Sequence, residues 1–133
     1  DYLYIINFKP DRFPLGDPRN LNDGNTPPTL DRLTNNTFCT LADEDAGPTK
    51  AWIVTNRKNP DVKPFFDNAY GKRPMEELYD LKVDPHQLNN VASHREYHSL
   101  KNRLKNKLLG TLRETKDPRM VNDGEYFDKV LTK

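Results

Sequence analysis

Cysteine is almost missing from this chain. Cys39 stands alone, which excludes an intrachain disulfide. Its surroundings, "TFCTL", supply no base and no helix N-terminus to lower a thiol pKa, so Cys39 reads as a small filler of a loop or short strand. Apolar residues are scarce too. Exchanging the 6 Tyr for the 6 Gly leaves their share at 34%, below the about 45–50% of typical domains. An excess of one charge is also lacking. Lys+Arg 21 against Asp+Glu 20 leaves +1, too little for a long-range field that would hold a polyanion, so nucleic acid is set aside as a partner. No apolar run is long enough to cross a bilayer, and no membrane span is expected. A Gly-rich phosphate loop, a Ser-His-Asp order and a nucleophile elbow are all missing.

What is present is punctuation. Eleven Pro and a mean hydropathy of −0.97 point to long irregular connections. The length of 133 residues fits a single domain, 1–133. The chain opens on "DYLYIINF" without an initiator Met, which reads as a fragment or processed product of something longer. Tyr2 to Phe8 is aromatic and β-branched and predicts a strand. Both its faces are largely apolar, which suits a central position in a sheet. Pro10 and Pro14 end the ladder.

Residues 9–47 show no sustained periodicity and read as a long irregular loop region, with a short helix near Leu30–Leu33 capped by Thr29. Asn35-Asn36-Thr37 is a formal glycosylation acceptor. "GPTKAWIVT" starts like a helix at Gly47-Pro48, with Ala51, Val54 and the Trp52 side on one face, although its β-branched content also suits a strand. In "DVKPFFDNAYG", Asp61 is placed to cap a helix bearing Phe65, Phe66, Ala69 and Tyr70, and Gly71 to stop it. "EELYDL" predicts a second strand, with Leu78 and Asp80 on one face and Tyr79 and Leu81 on the other. Asp84-Pro85 forces a turn, and Leu88 and Val91 are expected to point inward. Ser93 with Glu96 forms a capping box for the long helix Ser93–Lys116. Tyr97, Leu100, Leu104, Leu108 and Leu112 form its apolar stripe, and Lys101, Arg103, Lys105, Lys107 and Arg113 its solvated face. Beyond Asp117-Pro118 the chain reads as a loop and a short terminal helix.

Few residues offer chemistry. His94 and His98 share a helix face, as in the H-E-x-x-H zinc motif, but the order is H-R-E-Y-H and no third ligand is in view, so no metal site is assigned. Asp43, Glu44 and Asp45 lack the alternation and the Gly of a calcium loop and read as a solvated acidic loop before a helix N-terminus. Lys50, Lys72 and Arg73 are cations able to recognise an anion, though each alone reads as surface charge.

The order "ELYDL", "DP", "NN", "A", then a long amphipathic helix ending "ETKDP", resembles the C-terminal segment of type I sulfatases. Within them it is most similar to the branch of N-sulfoglucosamine sulfohydrolase (heparan N-sulfatase) and its bacterial relatives. The residues carrying the resemblance are Arg73, Pro74, Glu77, Leu78, Tyr79, Asp80, Asp84, Pro85, Asn90, Ala92, Glu114, Thr115, Asp117 and Pro118. "YLYIINFKPDRFP" and "GPTKAWIVTNR" fit the same branch.

The resemblance implies an α+β fold, a small antiparallel sheet packed against a long C-terminal amphipathic helix. It implies the non-catalytic C-terminal part of an enzyme hydrolysing sulfate esters or sulfamates on sulfated carbohydrates. The intact family enzyme uses calcium and a formylglycine made from a C-x-P-x-R cysteine, both in an N-terminal alkaline-phosphatase-like domain. Cys39 sits in "CTLAD" without the Pro and Arg, so no catalytic residue and no cofactor is assigned to this chain. The partners implied are that catalytic domain and a sulfated sugar, with Lys9, Arg12, Lys72 and Arg73 as substrate-rim candidates. The family also implies export and strands upstream of Asp1, so a sheet edge able to pair with a second copy is expected. A free-standing carbohydrate-binding or protein-interaction module sharing the motifs is the alternative.

Overall fold

The computed structural model describes residues 1–129. Its backbone divides into two compact units: Asp1–Pro10 with the chain from Pro74 onward, and Asp11–Arg73.

The first unit is α+β. β1 (Tyr2–Ile6) pairs antiparallel with β2 (Glu76–Asp80), Tyr4 lying opposite Leu78. The ladder is extended by Asn7 N–H to Met75 O at 2.9 Å and Leu81 N–H to Asp1 O at 3.1 Å. With only two strands in the sheet, β1 is an edge and not the central strand its apolar faces suggest. Leu78 and Asp80 share one face of β2 and Tyr79 the other, as period two requires.

α4 (His98–Glu114) packs on the face bearing Tyr2, Tyr4 and Glu76. The rings of Tyr2 and Tyr97 meet edge to face at 6.3 Å. The helix starts later than its capping box predicts. Val91 N–H donates to Leu78 O at 2.9 Å, holding the chain against β2, and a 3-10 turn, Arg95–Tyr97, intervenes before the α-helix. Ser93 is exposed and caps nothing; Tyr97 occupies the N-cap without a side-chain bond. The leucines of the stripe are half-buried, and Lys101 and Lys105 turn toward the sheet instead of into solvent. Leu88 is 66% exposed; Ala92 is buried in its stead. α4 ends in a Schellman-type closure: Lys116 has φ +53°, Lys116 N–H bonds Arg113 O and Asp117 N–H bonds Leu112 O. Two 3-10 segments follow, Pro118–Met120 and Asn122–Lys129; the end of the predicted terminal helix lies outside the described residues.

The second unit is helical and contains no strand. α1 (Leu30–Asn35) has Thr29 at its N-cap, the hydroxyl accepting Arg32 N–H at 3.3 Å. α2 (Pro48–Thr55) begins with Pro at its first position, as read from Gly47-Pro48. α3 (Lys63–Tyr70) follows, with Val62 at its N-cap; Asp61 makes no cap. The core comprises Leu21, Leu33, Cys39, Leu41, Ala51, Val54 and Tyr70. Two aromatics expected to point inward do not. Trp52 is 53% and Phe65 63% exposed, because the inward stripe of α2 runs through Lys50, Ala51 and Val54, and that of α3 through Phe66 and Tyr70. Gly71 follows α3 with φ −66°, so the left-handed conformation does not require it. A Cβ there would lie 2.4 Å from Asp67 O, which only glycine avoids.

Candidate functional site

Part of the motif, Glu77, Leu78, Tyr79, Asp84, Asn90 and Ala92, meets at one junction, while Glu114, Thr115, Asp117 and Pro118 form the far end of α4. Glu77 is buried on the sheet face away from α4. Its carboxylate accepts Asn7 Nδ2–H at 2.7 Å and the Tyr79 hydroxyl. Asn90 clips the outer side of β2. Its Oδ1 accepts Leu78 N–H at 2.9 Å and Ala92 N–H at 3.0 Å, and its Nδ2 donates to Glu76 O at 3.2 Å. Asp84 accepts Leu88 N–H at 3.1 Å and Asn89 N–H at 2.7 Å, closing the turn at Pro85. On the other face Glu76 receives the Tyr4 hydroxyl at 2.5 Å, Lys105 at 3.2 Å and Lys101 at 3.5 Å. The Tyr4 hydrogen bond above all, with Lys105 and Lys101 adding and burial opposing, holds the Glu76 carboxyl below its ordinary range. Burial, then the Glu76 carboxylate, pushes the Tyr4 phenol up. A shallow depression of about 290 Å³ beside this cluster is lined by Glu76, Asn90, Ser93 and Lys101. Its one cation is already paired with its one carboxylate, so it has little with which to select a charged ligand.

The four rim candidates divide between the two units. Lys9 belongs to the sheet-bearing unit and is half-buried; Arg12, Lys72 and Arg73 belong to the helical unit. Lys72 lies over the Phe13 ring, 5.1 Å from its centroid, and Arg73 donates to Asn68 O at 2.5 Å. Lys50 is no anion receptor. Only 1% exposed, its ammonium donates to Glu44 O at 2.7 Å, Leu41 O at 2.9 Å and Thr37 O at 3.3 Å. Three carbonyls match the three donors of an ammonium, so the buried charge is fully solvated by the chain. Around it, Thr40 Oγ1 and Glu44 Oε2 are buried with no hydrogen-bond partner among the described residues. His94 Nδ1 lies 3.8 Å from the Glu96 carboxylate, and no group of three metal-ligating side chains is found among the described residues. Asn35, in the glycosylation triplet, is exposed and donates to Asp31 O at 3.1 Å.

Sequence reasoning missed a cleft of about 250 Å³ within the helical unit. Phe13, Phe66 and Tyr70 line it with Leu21 and Leu41, and Arg57, Lys58 and Lys63 bring positive charge. Its one carboxylate, Asp67, is ion-paired with Lys63 on the preceding turn of α3. Arg57 is fixed by donating to Val54 O at 2.9 Å and to Leu21 O. Burial, then a hydrogen bond to Glu44, pushes the Tyr70 phenol up. The signal was present in "NRKNP" beside "KPFFDNAY", but only the fold brings Phe13 and Leu41 to it. Compared with known proteins, the chain matches no family model, no curated protein and no solved structure.

Proposed function

We propose that this chain is the non-catalytic C-terminal part of a sulfatase that hydrolyses sulfate esters or sulfamates on sulfated carbohydrates. The observation supporting this reading is that part of the motif builds one junction. Glu77, Tyr79, Asp84, Asn90 and Ala92, which carry the resemblance, all build one strand–turn–helix junction. These residues have a structural role here, and in this reading they act as a family signature outside the active site. In this reading sulfur chemistry belongs to a catalytic domain bearing the formylglycine and calcium, and this chain docks against it.

Two experiments test the proposal. The isolated chain, given an aryl sulfate or a sulfated glucosamine, is expected to release no sulfate, and turnover above a metal-free blank would sink the reading. The reading frame upstream of Asp1 is expected to encode a C-x-P-x-R motif; a frame that opens at this chain favours the second reading, a free-standing carbohydrate-binding or protein-interaction module. The cleft lined by Phe13, Phe66 and Tyr70 is the observation favouring that second reading.

A further inference from the structure

We infer that the cleft of the helical unit binds a small organic anion carrying one flat ring, with the ring against Phe13 and Phe66 and the anionic group at Arg57 and Lys58. This does not depend on the sulfatase reading and holds equally for a binding module.

Size limits the ligand first. About 250 Å³ is below the roughly 300–1,000 Å³ of pockets for drug-sized molecules, so one ring with one substituent fits and a polymer enters only by an end. Shape and polarity come next. Two phenylalanines and the body of Tyr70 form an apolar wall, which prefers a flat ring face over a fully hydrated ion. Charge selects the sign. The lining holds three cations and one carboxylate, and Lys63 already neutralises Asp67, so the surplus of positive charge sits at Arg57 and Lys58. The whole chain carries only +1, so this concentration is local and does not reflect a generally basic protein.

Arg57 is the element that distinguishes this site from scattered surface lysines. Val54 O and Leu21 O take two of its donors and hold the guanidinium in one orientation, with three N–H donors remaining. A guanidinium fixed in this way loses little further freedom on meeting an oxyanion. Lys72 above Phe13 adds a fourth cation next to the aromatic wall.

The test is titration of the full chain with p-nitrophenyl sulfate, followed by amide chemical shifts, at low ionic strength. Saturable shifts centred on Phe66, Tyr70 and Arg57 are expected. Benzoate should compete, whereas inorganic sulfate and the uncharged phenyl β-glucoside should each bind about tenfold more weakly or worse. Lys58→Ala, which leaves the Lys63–Asp67 pair intact, should weaken the aryl sulfate about fivefold while leaving the unfolding midpoint in place. Shifts spread evenly over all lysines, equal binding of inorganic sulfate, or full affinity in the Lys58→Ala variant would each overturn the assignment. If that variant proves unstable, raising the salt serves instead: binding that does not weaken with ionic strength would equally overturn it.

Discussion

In the sheet-bearing unit, the main-chain groups of β1 and β2 that face one another pair, and Asn90 and Asp84 bind main-chain groups at the margins. Asp11–Arg73 has no strand ladder, so its loops find partners among cationic side chains. Lys50 gathers three carbonyls from Thr37, Leu41 and Glu44, and Arg57 gathers two from Leu21 and Val54. A buried carbonyl needs a donor from somewhere, and where regular pairing is absent one long charged side chain supplies several at once. The ammonium costs much to desolvate, and it is tolerated because every donor is used.

The contrast can be broken at chosen points, with Trp52, the single tryptophan, reporting the helical unit. The largest effect among these is expected from Gly71→Ala, which forces a Cβ onto Asp67 O and should destabilise the end of α3 by about 2–3 kcal/mol in urea unfolding. Asn90→Ala removes three hydrogen bonds from the junction and should cost about 2 kcal/mol, seen as faster amide exchange in β2 and α4.

A smaller effect follows from pH. The Glu76 carboxyl is depressed in the folded chain, so its contribution is present above the unfolded value of about 4.3 and is lost as pH falls through the folded value. Glu76→Gln should therefore flatten the acid limb of a stability–pH curve below about pH 4.5. Tyr4 has the opposite sense. Its phenol is raised, so its contribution is intact below its ordinary 10.0 and is lost as pH climbs beyond that; Tyr4→Phe should remove that alkaline loss. The smallest effect is a gain. Gly110 has open space around its missing Cβ, so Gly110→Ala should stabilise α4 by about 0.5–1 kcal/mol in thermal unfolding.

Much of the architecture was legible because it is written locally. The two strands, the Thr29 cap, the Gly47-Pro48 start and the Asp84-Pro85 turn each depend on residues within a few positions of one another. What stayed hidden depends on distant partners. Ser93 and Glu96 satisfy the capping pattern, yet Asn90 and Val91 are tied to β2 and delay the helix. Lys101 and Lys105 fit a solvated face until Glu76 is known to stand opposite. Lys50 looks like a surface charge until three loop carbonyls surround it, and the cleft needs Phe13 and Leu41 brought beside α3. The resemblance to sulfatases suggested Lys9, Arg12, Lys72 and Arg73 as rim cations. Of these only Lys72 borders the cleft wall, through its contact with Phe13.

The most direct test of a loop region held by one buried cation is Lys50→Met, unfolded in urea and followed by Trp52 fluorescence. The substitution keeps length and apolar bulk while removing the charge and all three donors. The account predicts a loss of about 3 kcal/mol, since three carbonyls would be left buried and unpaired. A midpoint within about 0.5 kcal/mol of the parent would contradict it, placing the ammonium among ordinary surface substitutions.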